Sequence, residues 1–450
     1  MLMQEKNILV LGAGLSSSSL IRYLLDHANQ QGWRITLGDI SKETAENKID
    51  GHPRGEPLHF NVHDEHQRIR CIQKADVVIS MLPARMHHLV AHDCVEQGTH
   101  MVTASYVSHE IHELDEKARE KDVLLLNELG VDPGIDHMSA MQVIDHIHEK
   151  GGRITGFESS TGGLVAPEFD DNPWGYKFTW NPRNVVVAGQ GVSRFLHNGS
   201  IKYIPYHKLF SRTEQVTIPE VGSFEIYPNR DSLKYIDIYG LKNLKTMFRG
   251  TMRRPGYARA WDVFVQLGMT EDTYRIEGSE SMSFRDFINA YLPYKSGVSV
   301  EEKLCEQFGL DRRGEVMRKL EWLGIFKDDL IGLKQATPAQ ILQRLIEPRW
   351  QLKPEDRDMI VMQHVFDYQV GQEERRRKST LIFRGQDPLH TAMSITVGVP
   401  VAIATKLLLQ GKMNLKGVQR PLKKEIYEPV MKELAEYGIR FREEEVMDEA

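Results

Sequence analysis

A chain of 450 residues is too long for one small core and is expected to fold as two or three domains. Hydrophobic residues make up 41% and charged residues 27%, the balance of a soluble globular protein, and a formal net charge of -6 argues against a nucleic-acid partner. The three cysteines, Cys71, Cys94 and Cys305, stand at no metal-ligand spacing and fit a reducing compartment without structural disulfides. Residues 1–6 run directly into an apolar strand, so no leader is expected there. The apolar run 397–409, broken by Pro400 and Lys406, reads as too short to span a bilayer. The expectation is a cytoplasmic protein with neither a membrane nor a nucleic-acid partner.

In chain order, 7–11 is a short apolar run followed by a glycine turn and then 20–26 at helical spacing. Further apolar runs at 33–37, 75–81, 99–103 and 123–126 alternate with helical patterns, which predicts a doubly wound, Rossmann-like parallel sheet in an α/β protein. From about Gly152 the texture changes. The stretches 153–158, 176–180, 184–188 and 201–205 alternate or are β-branched, and they read as strands of a mainly antiparallel sheet. Residues 284–350 are patterned as helices, 359–368 and 379–383 as strands returning to the second sheet, and 392–438 as a helical tail. The stretch 438–442 reads as a last strand rejoining the first sheet.

The turn Gly12-Ala13-Gly14-Leu15-Ser16-Ser17 follows a strand and opens a helix, the context in which a glycine motif binds a dinucleotide. Gly12 permits the tight turn, and Gly14 lets the backbone approach a pyrophosphate at the positive end of the helix. The third motif position is Ser17 rather than glycine; Ser16 or Ser17 either donates to phosphate or caps the helix. Asp39, at the end of the second strand, can accept the adenosine ribose hydroxyls and repel a 2′-phosphate. NAD is therefore favoured, and NADP stays admitted because Lys42 is close in sequence.

The third strand ends in Ser80-Met81-Leu82-Pro83 and the fourth in Thr103-Ala104-Ser105-Tyr106, both at carboxyl ends where open α/β sheets hold ligands. In Glu128-Leu129-Gly130-Val131-Asp132-Pro133-Gly134, Asp132 has the look of a helix N-cap and Pro133 of an N1 residue. His63-Asp64-Glu65-His66 has no partner cluster and reads as a solvated loop or helix end rather than a metal site, so no metal is expected. Arg375-Arg376-Arg377-Lys378 reads as a charged hairpin tip. Arg249, Arg253, Arg254 and Arg259 are interleaved with Gly250, Pro255 and Gly256 in what reads as an irregular segment suited to planar carboxylates.

These strings resemble the saccharopine dehydrogenase (saccharopine reductase) family, specifically its L-glutamate-forming branch. Those that carry the resemblance are Gly12 to Ser16, Ser80-Met81-Leu82-Pro83, Thr103-Ala104-Ser105-Tyr106 and Gly130-Val131-Asp132-Pro133-Gly134-Ile135-Asp136-His137. Gly162-Gly163, Tyr227-Pro228-Asn229-Arg230-Asp231-Ser232, Arg249-Gly250-Thr251-Met252-Arg253 and His390-Thr391-Ala392-Met393 extend it over nearly the whole chain. There are departures: Thr161 stands where many relatives have cysteine, and Thr179-Trp180-Asn181-Pro182 replaces a familiar Ser-Trp-Ser-Pro.

The resemblance implies a Rossmann domain from 1–129 and 391–450, a substrate domain from 130–270 and 355–390, and an inserted helical domain at 271–354. It implies a lysine-metabolism oxidoreductase that converts saccharopine, NAD(P)+ and water to L-glutamate, 2-aminoadipate 6-semialdehyde and NAD(P)H. Cofactor contacts are expected at Gly12, Gly14, Leu15, Ser16, Asp39, Ser80, Leu82, Pro83, Val131, Asp132 and Trp180. Substrate contacts are expected at Ser105, Tyr106, Arg230, Thr251 and Arg253. The candidates for proton transfer are His87, Asp132 and Tyr106, each with a capping or packing alternative. The expected partner is a small-molecule amino acid, and a homodimer is admitted. Two rivals stand beside this reading: a reductase of another amino-acid or polyamine imine, and a dinucleotide-sensing protein that kept the fold.

Overall fold

A computed structural model describes residues 5–446. The leader-free start read at 1–6 falls largely outside that range. The chain divides into two units, 1–152 with 385–442 and 153–384 with 443–450.

In the first unit seven strands pair in the order Gly417–Gln419, Leu124–Leu126, His100–Thr103, Val77–Ser80, Lys6–Leu11, Trp33–Asp39 and Gly55–His59. Every pairing is parallel. Helices cover such a sheet on both faces, which is why Val77–Ser80 and Leu124–Leu126 are wholly buried and read as continuous apolar runs. The edge strand Gly55–His59 escaped the sequence reading because it is half-buried, contains Pro57 and has no apolar run.

The C-terminal stretch behaves differently from its pattern in two places. The sheet is rejoined by Gly417–Gln419, three residues inside what reads as continuous helix. The last strand, Arg442–Val446, belongs to the second sheet and not the first. Its Glu443 accepts from Ser379 at 2.5 Å and its Glu445 pairs with Arg377, contacts that sequence distance hides. The apolar run expected at 397–409 is in fact the longer helix Ala392–Leu409, capped by Thr391. By length and composition it could cross a membrane, but 78% of it is buried inside the protein. It lies so close to the helix Ser18–Gln31 that a Cβ on Gly398 would stand 2.8 Å from the Leu20 nitrogen.

In the second unit a nine-stranded sheet runs Glu214–Ile218, Gly222–Pro228, Thr246–Arg253, Arg153–Val165, Asp358–Val370, Glu373–Arg384 and Arg442–Val446, with Val192–His197 and Ser200–Pro205 attached beside Thr246–Arg253. Thr246–Arg253 and Arg153–Val165 pair in parallel, while their other principal neighbours are antiparallel. The helices Tyr257–Gln266, Phe284–Asn289, Val300–Phe308, Glu315–Leu323 and Pro338–Trp350 share one apolar core with this sheet.

The strands expected at 176–180 and 184–188 do not form. Asn181 caps, and Pro182 begins, the short helix Pro182–Val186, so a cap and a preset φ outweigh β-branched composition. The charged run 375–378 lies within the strand Glu373–Arg384 rather than at the hairpin tip, where Arg376 pairs with Asp367 and Arg377 with Glu445.

Candidate active site

In the first unit the glycine turn has the geometry its sequence implies. Gly12 has φ +104°, and a Cβ there would sit 2.7 Å from the Met81 carbonyl, so only glycine fits. Around Gly14 a Cβ would meet nothing within 4 Å, which leaves the backbone open to a ligand. Leu15 is 73% exposed and Ser16 is half-buried. Ser17 holds the N-cap position of the helix that begins at Ser18 but makes no side-chain cap bond: its hydroxyl donates to the Gly14 carbonyl at 2.8 Å, and in the first turn Ser19 N donates to the Ser394 hydroxyl at 3.0 Å. The positive end of the helix dipole still faces the glycine turn.

Asp39 braces this turn. One carboxylate oxygen accepts from Ala13 N at 2.8 Å and the other from Ser41 N at 2.9 Å. Lys42 is exposed and pairs with Glu46 at 3.2 Å, away from the Asp39 carboxylate's own bonds. Lys48 reaches the Ser18 hydroxyl, and burial lowers its pKa while the charge of Asp39 opposes that shift. It is a second cation near the turn that spacing alone did not single out.

Ser80, His87 and Ser105 meet at the ends of two neighbouring strands. His87, fully buried, bonds the Ser80 hydroxyl through Nδ1 at 2.8 Å and the Ser105 hydroxyl through Nε2 at 2.7 Å. Burial, and then the charge of His88, lowers its pKa to about 4, so the ring is neutral and one nitrogen donates while the other accepts. Thr103 completes the corner by donating to the Ser80 carbonyl at 2.7 Å. Leu82 is half-buried, and exposed Pro83 leads into the turn Ala84–Met86.

The loop that follows Leu124–Leu126 departs from expectation. Asp132 is not the helix cap: the helix starts at Ile135, and its N-cap is Gly134, whose N–H donates to Asp136 at 2.6 Å. The Asp132–Pro133 peptide bond is cis, and Gly130 N donates to the Pro133 carbonyl at 2.7 Å. That tight turn takes Asp132 off the helix axis, and its Oδ1 accepts from the Tyr106 hydroxyl at 3.1 Å. Val131 is buried beside it.

Glu128 was not among the expected site residues. Its carboxylate is buried and accepts from Val107 N at 3.1 Å, Arg420 Nε at 2.8 Å and His137 Nε2 at 2.8 Å. Burial alone would raise its pKa; the hydrogen bond and charge of His137, with the charge of Arg420, bring it down to about 2. The signal that could have found it is a carboxylate two residues beyond a wholly apolar strand end.

In the second unit Arg253 is the last residue of the strand Thr246–Arg253, buried rather than set in an irregular segment. Its guanidinium lies 4.9, 5.5 and 6.0 Å from the ring centroids of Tyr176, Tyr257 and Tyr227. Burial pulls its pKa down, but the three tyrosines raise it by more. One guanidinium nitrogen donates to the Met252 carbonyl at 2.8 Å, and Nε has no hydrogen-bond partner. Thr251, half-buried, lies opposite Tyr227 in the ladder and so on the same face. The buried hydroxyls of Thr161 and Thr179 also have no hydrogen-bond partner, and half-buried Trp180 packs against the core. Arg230 is exposed, at φ +48°, in the turn after Gly222–Pro228, and it makes no side-chain hydrogen bond or ion pair with the Arg253 cluster.

No group of three or more metal-ligating side chains exists among the described residues. Asp64 of the His63–His66 string caps the helix Glu65–Ile72 by accepting from Gln67 N at 3.0 Å.

Two family models match this chain: the saccharopine dehydrogenase NADP binding domain over residues 8–126, and the saccharopine dehydrogenase C-terminal domain over 130–439. The chain belongs to the saccharopine dehydrogenase family. Within that family it is 33% identical to saccharopine dehydrogenase [NADP(+), L-glutamate-forming] of Saccharomyces cerevisiae, covering 98% of this chain and 99% of the relative. The protein of the same name from Pyricularia oryzae is 31% identical, over 99% of this chain and 100% of the relative. The mitochondrial alpha-aminoadipic semialdehyde synthase of Mus musculus is 32% identical over 97% of this chain, which spans 47% of that longer protein. Among solved structures, the apo saccharopine dehydrogenase (L-Glu forming) from Saccharomyces cerevisiae superposes with a TM-score of 0.88 at 32% identity, covering 98% of this chain and 100% of the other. The fold is thus that of a saccharopine dehydrogenase: a parallel Rossmann-like sheet and a mixed second sheet.

Proposed function

We propose that this saccharopine dehydrogenase family member oxidises L-saccharopine with a nicotinamide dinucleotide and water to L-glutamate and 2-aminoadipate 6-semialdehyde, or runs the reverse reaction in lysine metabolism. The observation that carries the reading is full-length similarity to relatives of that name, combined with a hydroxyl–carboxylate pair, Tyr106 and Asp132, at the carboxyl ends of the same parallel sheet as the dinucleotide turn. The open backbone at Gly14 and the helix N-terminus after it suit a pyrophosphate.

When bound, the nicotinamide takes up the hydride lost from the substrate carbon next to the secondary amine. The protein must remove a proton from that amine and later move protons as water adds to the imine. In this reading Asp132 accepts the proton through Tyr106, its present hydrogen-bond donor. His87, neutral and bonded on both nitrogens, holds the Ser105 hydroxyl toward the substrate. Ser105, Tyr106, Arg230, Thr251 and Arg253 bind substrate, the arginines through its carboxylates. Gly12, Gly14, Leu15, Ser16, Asp39, Ser80, Leu82, Pro83, Val131, Asp132 and Trp180 hold the cofactor. In this reading 1–129 with 391–450 supplies most of the cofactor contacts and 130–270 with 355–390 most of the substrate contacts, with Ser105 and Tyr106 on one side and Val131, Asp132 and Trp180 on the other crossing that division, and 271–354 is helical support.

NAD+ is the preferred form in this reading, because the Asp39 carboxylate is fixed at the end of the second strand by Ala13 and Ser41. In this reading the chain would differ in cofactor from relatives whose names specify NADP(+). The enzyme works in the cytoplasm on a small molecule, without a nucleic-acid or membrane partner, and a homodimer is admitted. Reduced-cofactor formation, followed by absorbance with saccharopine and a panel of other amino acids and polyamine derivatives, tests the proposal. Turnover of a polyamine derivative and none of saccharopine, with either cofactor, overturns it.

A further inference from the structure

We infer that Glu128 and Arg420 act together as the positioning device of the active site: Glu128 grips the segment that carries Ser105 and Tyr106, and Arg420 holds Glu128. The catalytic part of this inference rests on the function proposed above; the grip itself is a matter of geometry. Glu128 touches the 105–107 segment twice. Its backbone N–H donates to the Ser105 carbonyl at 3.0 Å, and its carboxylate accepts from Val107 N at 3.1 Å. Tyr106 is the residue between those two bonds. Leu129 N adds a third tie, to the Thr103 carbonyl at 3.2 Å.

The other partner of the Tyr106 hydroxyl pair is set by the same loop. Asp132 lies four residues beyond Glu128, and His137, whose ring bonds the Glu128 carboxylate at 2.8 Å, lies in the first turn of the helix that ends the loop. One carboxylate thus constrains both the donor side and the acceptor side of the Tyr106–Asp132 contact. Glu128 also holds φ +61°, a backbone conformation unfavourable for a side chain of this kind. A residue that merely filled space at an apolar strand end would be neither charged nor strained.

Arg420 completes the device from far along the chain. It follows the strand Gly417–Gln419, which adds to the sheet beside Leu124–Leu126, and Asn127 N donates to the Gln419 carbonyl at 3.0 Å. Its Nε donates to Glu128 at 2.8 Å, which supplies a full positive charge to a carboxylate that is itself buried. The C-terminal stretch therefore reaches the site through this ion pair together with the strand pairing beside it.

The test uses Glu128→Gln, Arg420→Met and Arg420→Lys in the full chain, with three readouts: amide exchange at 103–108, dinucleotide affinity by fluorescence, and steady-state kinetics with saccharopine. Glu128→Gln is expected to speed exchange at Val107 and to lower kcat/KM by about 30- to 100-fold, the scale of a small misplacement of reacting groups. The loss is expected mainly in kcat, with dinucleotide affinity within about twofold of wild type. Arg420→Met should reproduce the defect and Arg420→Lys should recover most of it. If Glu128→Gln does not fold, the contrast between the two Arg420 variants decides. Unchanged exchange at Val107, or equal kinetics for Arg420→Met and wild type, overturns the inference. If wild type itself turns over no saccharopine, the proposed function falls, and exchange at Val107 alone judges the grip.

Discussion

The guanidinium of Arg253 stands 4.9 Å from the ring centroid of Tyr176 and forms no ion pair with a carboxylate among the described residues. A buried cation held by ring faces, the Tyr257 hydroxyl and one carbonyl is short of an anion. A substrate carboxylate would supply it. A charge-assisted hydrogen bond contributes roughly 1.5–3 kcal/mol, or about 10- to 150-fold in rate terms. Arg253→Ala is therefore expected to lower kcat/KM for saccharopine by that factor while leaving dinucleotide affinity unchanged in a fluorescence titration. Arg253→Lys should recover little, since a point charge cannot fill the planar slot between the rings. Arg375, exposed beside Glu373, is the control, because the covered Arg377 has a partner in Glu445.

The 3.1 Å contact between Tyr106 and Asp132 makes a distinct expectation. Asp132→Asn keeps the shape and removes the proton acceptor, so kcat should fall by about 10²- to 10⁴-fold, the range for losing general acid–base catalysis. Tyr106→Phe should fall less if Asp132 can reach the substrate through water. Equal activity for Asp132→Asn and wild type across pH 6 to about 10 would remove Asp132 from proton transfer.

His87 ties acid stability to the strand-end corner. Its pKa falls to about 4 in the folded chain from 6.5, so between those values the unfolded chain binds a proton there and the folded chain does not. Stability must then decrease as pH drops through that window, by up to about 3 kcal/mol for this one group. Thermal unfolding measured from pH 7 to 4 should show the decline, and His87→Asn should flatten it. Glu128 acts lower: its folded pKa of about 2 means that its stabilisation is present above the ordinary carboxylate range and lost as pH falls toward 2.

The proposed preference for NAD+ is testable at Asp39. Its carboxylate oxygens accept from Ala13 N and Ser41 N, which fixes a negative charge at the end of the second strand. Wild type is expected to show a higher kcat/KM with NAD+ than with NADP+. Asp39→Ala should narrow or reverse the ratio, because it leaves Lys48 beside Ser18 without its counter-charge. A wild-type preference for NADP+ would show that the cations near the turn outweigh the carboxylate.

The sequence by itself determined the parallel sheet, the glycine turn and the strand-end positions of Ser80 and Ser105. Buried parallel strands need uninterrupted apolar runs, and a Cβ-free turn needs glycine, so both leave marks in a few consecutive residues. Local pattern also showed where it could mislead. Asp132 before Pro133 has the composition of a helix cap, yet the turn closed by Gly130 and Pro133 makes Gly134 the cap and turns Asp132 toward Tyr106. Tertiary structure alone decided the rest. The Arg253 slot is made by Tyr176, Tyr227 and Tyr257, side chains brought together from three segments. The Glu128–Arg420 pair joins residues 292 positions apart, and the last strand leaves the first sheet for the second. Such contacts depend on how strands are ordered across a sheet, and that order is set by the packing of whole faces rather than by any short string of residues.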